Sequence, residues 1–238
     1  MLSKGLWGIF IFTMLFSIMR VEAQEDIQNI YGLVTVDNAE LRAGPDFAYP
    51  SVGILPLNAS LVILGRAGDF FTRWDGRQWL QVDYGDSPAW VYARLLRTSV
   101  AFNSIPPTGR ALPRDANGRV PEGFDLTTDV CSQWQGEFTL SGNFMAGDNK
   151  LTVTYPGLTG ASLYSVIVIS PSGVRRAFDS VTTTAEIDIG GLLQEGGTYT
   201  WRVAPYWTNS SYRSSWQQVC LLRTGGTFEK PDTSPKRG

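Results

Sequence analysis

The sequence predicts an all-β protein of two small units, a barrel followed by a β-sandwich, and three observations carry that prediction. Short runs alternate apolar and polar residues, as in Ala39-Glu40-Leu41-Arg42-Ala43 and Tyr199-Thr200-Trp201-Arg202-Val203. A period of two is the pattern of a strand with one face buried. Gly, Pro, Asn and Asp punctuate these runs at the spacing of short strands. The chain has 238 residues, of which 43% are hydrophobic and 18% charged, enough apolar content and length for two folded domains.

The first 23 residues have the features of a secretory signal peptide. Lys4 supplies a positive start, Leu6 to Met19 an apolar run, and Val21-Glu22-Ala23 small residues at the −3 and −1 positions before Gln24. The alternative is an uncleaved anchor, for which the run is short. The next residues, 24–30, form a polar lead-in.

In the first unit, residues 30–98, Leu33, Val34 and Val36 begin a strand, Asp37-Asn38 bends it, and Ala39–Ala43 forms the next. Gly44-Pro45 breaks the chain into a loop through Asp46, Phe47, Ala48, Tyr49 and Pro50. Val52–Leu55 is a short strand, and Leu61–Leu64 is a continuous apolar run suited to a buried one. After a polar and aromatic excursion from Gly65 to Gly76, Trp79–Tyr84 and Ala89–Tyr92 form a hairpin around Gly85-Asp86-Ser87-Pro88. Arg94-Leu95-Leu96 closes the unit as a turn and a last strand. Five or six such strands suit a small barrel.

The order Ala39–Pro45, then Trp79–Val82, then Ala89-Trp90-Val91 resembles the bacterial SH3-like (SH3b) family, whose pattern reads roughly L-N-V-R-x-G-P, W-x-x-V, G-W-V. Glu40 and Ala89 depart from that pattern. The resemblance implies an SH3-like barrel that binds a peptide or a peptidoglycan component, with the loop after Gly44-Pro45 folded over one side.

Residues 99–127 carry Pro106-Pro107, Pro113, Asn117-Gly118 and Pro121 with little apolar periodicity, and read as an extended linker. From 128 to 224 strands return: Leu151–Tyr155, Tyr164–Ile169, Ile187–Ile189, Tyr199–Ala204 and a final one over Trp216–Leu222. Seven or so strands argue an immunoglobulin-like sandwich. Leu193 to Val203 resembles the fibronectin type III pattern L-x-P-x-T-x-Y-x-x-x-V, without the proline. That resemblance implies that Tyr199 bonds back to the preceding loop, and it puts Cys131 and Cys220 on the first and last strands. Residues 225–238 read as a disordered tail.

Two cysteines, Cys131 and Cys220, in an exported chain predict a disulfide, and there is no CxxC motif. Histidine is absent. That excludes Ser-His-Asp and Cys-His catalysis and zinc held by histidine. The formal charge of −2 and the lack of a basic stripe argue against nucleic acid as a partner. The carboxylates are scattered, and none is marked as a glycosidase pair. No cofactor is expected.

Asp46, Phe47, Tyr49, Trp74, Tyr84 and Tyr92 are the candidate ligand contacts, because loop aromatics can take an extended glycan or peptide while Asp46 or Asp69 fixes an amine. The competing reading is that these rings cover the open ends of the barrel. Trp79, Trp90 and Val91 carry the family resemblance and are expected mainly in the core. Tyr206-Trp207 and Tyr212 mark a second candidate contact loop. The expectation is a non-catalytic binding protein of the cell envelope, recognising peptidoglycan or an envelope peptide or protein. The alternative is a scaffold making protein–protein contacts.

Overall fold

The computed structural model describes residues 29–68, 76–142, 150–190 and 192–232. The expected signal peptide, Asp69 and Trp74 lie outside them. The protein is all-β: its strands form three antiparallel sheets.

Seven strands make the first sheet: β1 (Ile30–Val34), β2 (Ala39–Arg42), β3 (Ser51–Leu55), β4 (Ser60–Ala67), β5 (Trp79–Val82), β6 (Ala89–Tyr92) and β7 (Leu96–Thr98). Their order is β3-β2-β6-β5-β4-β1-β7. Leu55 from one edge strand and Leu96 from the other share one buried cluster with Val34, Leu41, Ile63, Leu80 and Val91. The sheet therefore curls around this core, and Ala67, Trp79 and Trp90 form a second, smaller buried cluster. The bend at Asp37-Asn38 works because Asn38 adopts φ 56°, a left-handed conformation that asparagine tolerates. The run Leu61–Leu64 is half-buried rather than wholly buried. Leu61 and Ile63 face the core, and the unbroken alternation of β4 puts Val62 and Leu64 on its other face.

Beyond a short helix, α1 (Val130–Gln133), come β8 (Thr139–Gly142), β9 (Lys150–Thr154), β10 (Leu163–Ile169), β11 (Arg175–Ser180), β12 (Thr184–Asp188), β13 (Gly197–Trp207), β14 (Gln217–Gln218) and β15 (Arg223–Lys230). One sheet has the order β12-β9-β8; the other runs β11-β10-β13-β14, with β15 also on β13. Leu151, Val153 and Ile187 from the first meet Val166, Val168, Tyr199, Trp201 and Val203 from the second in one core. The Tyr199 hydroxyl donates to the Glu195 carbonyl at 2.7 Å.

Three expectations change here. The strand expected over Trp216–Leu222 is split: β14 pairs with Tyr206-Trp207 and β15 with Gly197–Val203, so Cys220 sits at the break between them. Cys131 lies on α1, not on a first strand, and the disulfide joins these two irregular points with Cα atoms 5.5 Å apart. Gly225 to Lys230, expected in a disordered tail, belong to β15. A β-carbon on Gly225 would fall inside the Trp201 ring, so glycine is what lets β15 cross that indole.

Residues 99–127 have little regular structure, but they are bound along both units. Arg66 pairs with Pro107 in a parallel bridge, and its carbonyl accepts from Thr108 and Gly109. Ile105 is buried in the first core and Leu112 in the second. The Arg114 amide and carbonyl both bond the Gln217 side chain. A proline-rich chain suits this path because it gains its hydrogen bonds from its neighbours rather than from itself.

Candidate functional site

The loop between β2 and β3 carries three of the six candidates, and it sends them in two directions. Asp46 turns the loop by accepting from the Ala48 amide at 2.9 Å, while its other oxygen forms an ion pair with Arg114. Both Asp46 and Tyr49 are buried, at 2% and 1% exposure. Tyr49 leaves the first unit altogether and enters the second core beside Leu112, Val130 and Trp134. Its hydroxyl accepts from the Val130 amide at 3.2 Å. Burial pushes the Tyr49 hydroxyl pKa far up, and the nearby Asp129 and Asp46 charges add to that. The ring lies against Gly44, where a β-carbon would overlap it, which gives the Gly44-Pro45 break a steric purpose besides the turn. Expected as ligand contacts, Asp46 and Tyr49 instead hold the two units together.

Phe47 takes the opposite course. It is 52% exposed, and its ring stands edge-on to Trp79 and Tyr92, with centroids 4.8 Å and 5.1 Å away. Trp79 is buried beneath them and donates from its indole to the Gly76 carbonyl at 3.1 Å. Edge-to-face rings at these distances attract one another beyond simple burial. Arg42 splints the loop from below, donating to the Phe47 carbonyl at 3.0 Å and the Tyr49 carbonyl at 2.7 Å. Its guanidinium also lies 5.7 Å from the Phe47 ring centroid and pairs with Glu40. These groups surround a shallow concavity of about 290 Å³ that also touches Val36 and Leu95.

The arrangement offers an apolar ring for stacking, a carboxylate and a guanidinium within one small surface. Such a surface can hold a sugar face or a peptide and orient its amine and carboxylate ends. In the sequence Glu40 and Arg42 are only the polar side of a strand. Their positions two apart on β2, hence on the same face, are the signal that pairs them.

Tyr84 lies elsewhere. It is 39% exposed, its hydroxyl covers Gly53, and it borders a groove of about 400 Å³ with Trp90, Thr128 and Asp129. Asp129 caps α1 by accepting from the Cys131 amide at 2.9 Å, and burial raises its pKa although that bond and one from Trp90 favour the charged form. In the second unit Tyr212 is 75% exposed, whereas Tyr206 packs 6.1 Å from Trp216. No protein-family model, no curated protein and no solved structure matches this chain.

Proposed function

We propose that the protein is an exported, non-catalytic binding protein, built from an SH3-like barrel and a fibronectin-III-like sandwich, and that the Phe47–Trp79–Tyr92 surface recognises peptidoglycan. The observation that carries this reading is Phe47, a large apolar ring 52% exposed yet held rigidly by two aromatic neighbours and by Arg42. A half-exposed ring packed against two further rings makes a local apolar surface that a ligand can cover. Glu40 and Arg42, paired with each other beside it, form a polar edge that can exchange part of that pairing for hydrogen bonds to a wall peptide.

The curled seven-stranded sheet and the Tyr199–Glu195 bond support the two domain resemblances. The Cys131–Cys220 disulfide supports an oxidising compartment outside the cytoplasm. The test is co-sedimentation of the exported protein with purified peptidoglycan. Wild type is expected to pellet with the wall and Phe47→Ala to stay in solution while remaining folded. Equal behaviour of the two removes the surface from the account.

A scaffold role is the second reading, and the edge strand β3 favours it. Val52 and Ile54 are 47% and 61% exposed there, on a strand with one side unpaired among the described residues. Such an edge can add a strand from a partner protein. A defined protein partner, captured in place of the wall, would select this reading.

A further inference from the structure

Where the two units meet beside residues 107–113, the structure leaves a cleft of about 580 Å³. Its walls come from three parts of the chain: Arg66 and Arg77 from the first unit, Arg110 from the connecting segment, and Tyr206, Trp216 and Gln218 from the second. Two arginines, Arg66 and Arg110, therefore line one opening in a protein whose formal charge is −2, and Arg77, itself engaged by a partner, borders it. No aspartate or glutamate lies among the described residues lining it.

The Arg66 and Arg110 guanidinium groups are held in place by contacts that leave their charge intact. Arg66 donates from Nε to the Ile105 carbonyl at 2.7 Å and from Nη1 to the Gly68 carbonyl at 2.6 Å, and its guanidinium lies 5.3 Å from the Phe102 ring centroid. Arg110 donates to the Gln218 side-chain oxygen at 2.9 Å, and Gln218 is itself fixed by a bond to the Cys220 carbonyl. Carbonyl and amide oxygens orient a guanidinium without neutralising it, as a carboxylate would. The far wall adds rings. Tyr206 and Trp216 pack together, and burial raises the Tyr206 pKa while the charge of Arg110 opposes that rise, which puts Arg110 within electrostatic reach of the hydroxyl. The Trp216 indole nitrogen is buried with no hydrogen-bond partner among the described residues. A buried donor without an acceptor is costly.

We propose that this cleft is an anion-binding site, taking a ligand segment that carries clustered carboxylates or phosphates next to a flat or apolar body. Preorganised guanidinium groups select planar oxyanions, and the rings select what is attached to them. Clefts between units at this volume are where small ligands are commonly held. This site is separate from the Phe47 surface and does not depend on it.

The experiment is calorimetric titration of the disulfide-bonded protein with citrate, with pyrophosphate and with an uncharged sugar. Binding of citrate or pyrophosphate, weakened by added salt and absent for the sugar, is the expected result, and which of the two binds tells carboxylate from phosphate recognition. Arg110→Glu should weaken that binding by at least about tenfold, since it reverses one charge at the site. Arg110 is exposed, so losing its bond to the Gln218 side chain should shift the unfolding temperature only slightly. Binding of neither anion, as would follow if the guanidinium charges are already balanced, overturns the proposal. Equal binding by Arg110→Glu overturns it as well.

Discussion

Replacing Tyr49 with phenylalanine removes only the oxygen that accepts from the Val130 amide. That amide is then buried with no partner, so Tyr49→Phe should lower stability by about 1–3 kcal/mol, read as a shift in the urea midpoint. A ligand-contacting tyrosine would instead lose affinity and keep its stability. Asp129 gives a pH-dependent counterpart. Because burial raises its pKa in the folded state, its contribution favours folding below the unfolded carboxylate value. That contribution is lost as pH rises through the folded value. An amide side chain in its place keeps the cap on the Cys131 amide without the buried charge. Asp129→Asn should therefore gain stability relative to wild type between about pH 3 and about pH 7, whereas Asp129→Ala loses the cap at both. A constant difference across that range would contradict the assignment. Gly225→Ala places a methyl inside the Trp201 ring and should cost about 1–3 kcal/mol, as overpacking does.

Among elements, those with strict alternation or clear flanking turns were legible from the sequence. β2 and β9 fall where period two puts them, and β5, β6 and β10, apolar runs rather than alternating ones, fall where the flanking turn residues put them. Elements set by tertiary contact were not. The course of β15 depends on Gly225 passing the Trp201 ring, and no local pattern records that. Residues 99–127 read only as an extended linker because their hydrogen bonds go to Arg66 and Gln217, which lie far away in sequence. The site divided in the same way. Phe47 and Tyr92 share one surface, but a loop aromatic looks alike whether it turns outward like Phe47 or inward like Tyr49. The disulfide was legible from cysteine count, while its attachment to α1 and to the β14–β15 break was not. Those two points are 89 residues apart, so the bond should contribute about 4–5 kcal/mol in the chain-entropy model. A Cys131→Ser, Cys220→Ser variant is expected to unfold at a markedly lower denaturant concentration.

At the scale of the whole molecule, the loop after β2 couples the proposed binding surface to the second unit. Tyr49 is buried in that unit's core, Asp46 pairs with Arg114, and Phe47 between them points to solvent. The ring is presented from a splinted loop, so little conformational freedom remains to be lost on binding. The measurement that tests this account most directly is co-sedimentation with purified peptidoglycan, comparing wild type, Phe47→Ala and Tyr49→Phe at concentrations where all three are folded. Wild type and Tyr49→Phe should pellet with the wall, and Phe47→Ala should stay in solution. Pelleting of Phe47→Ala, or failure of wild type to pellet, would rule out Phe47 as the wall contact.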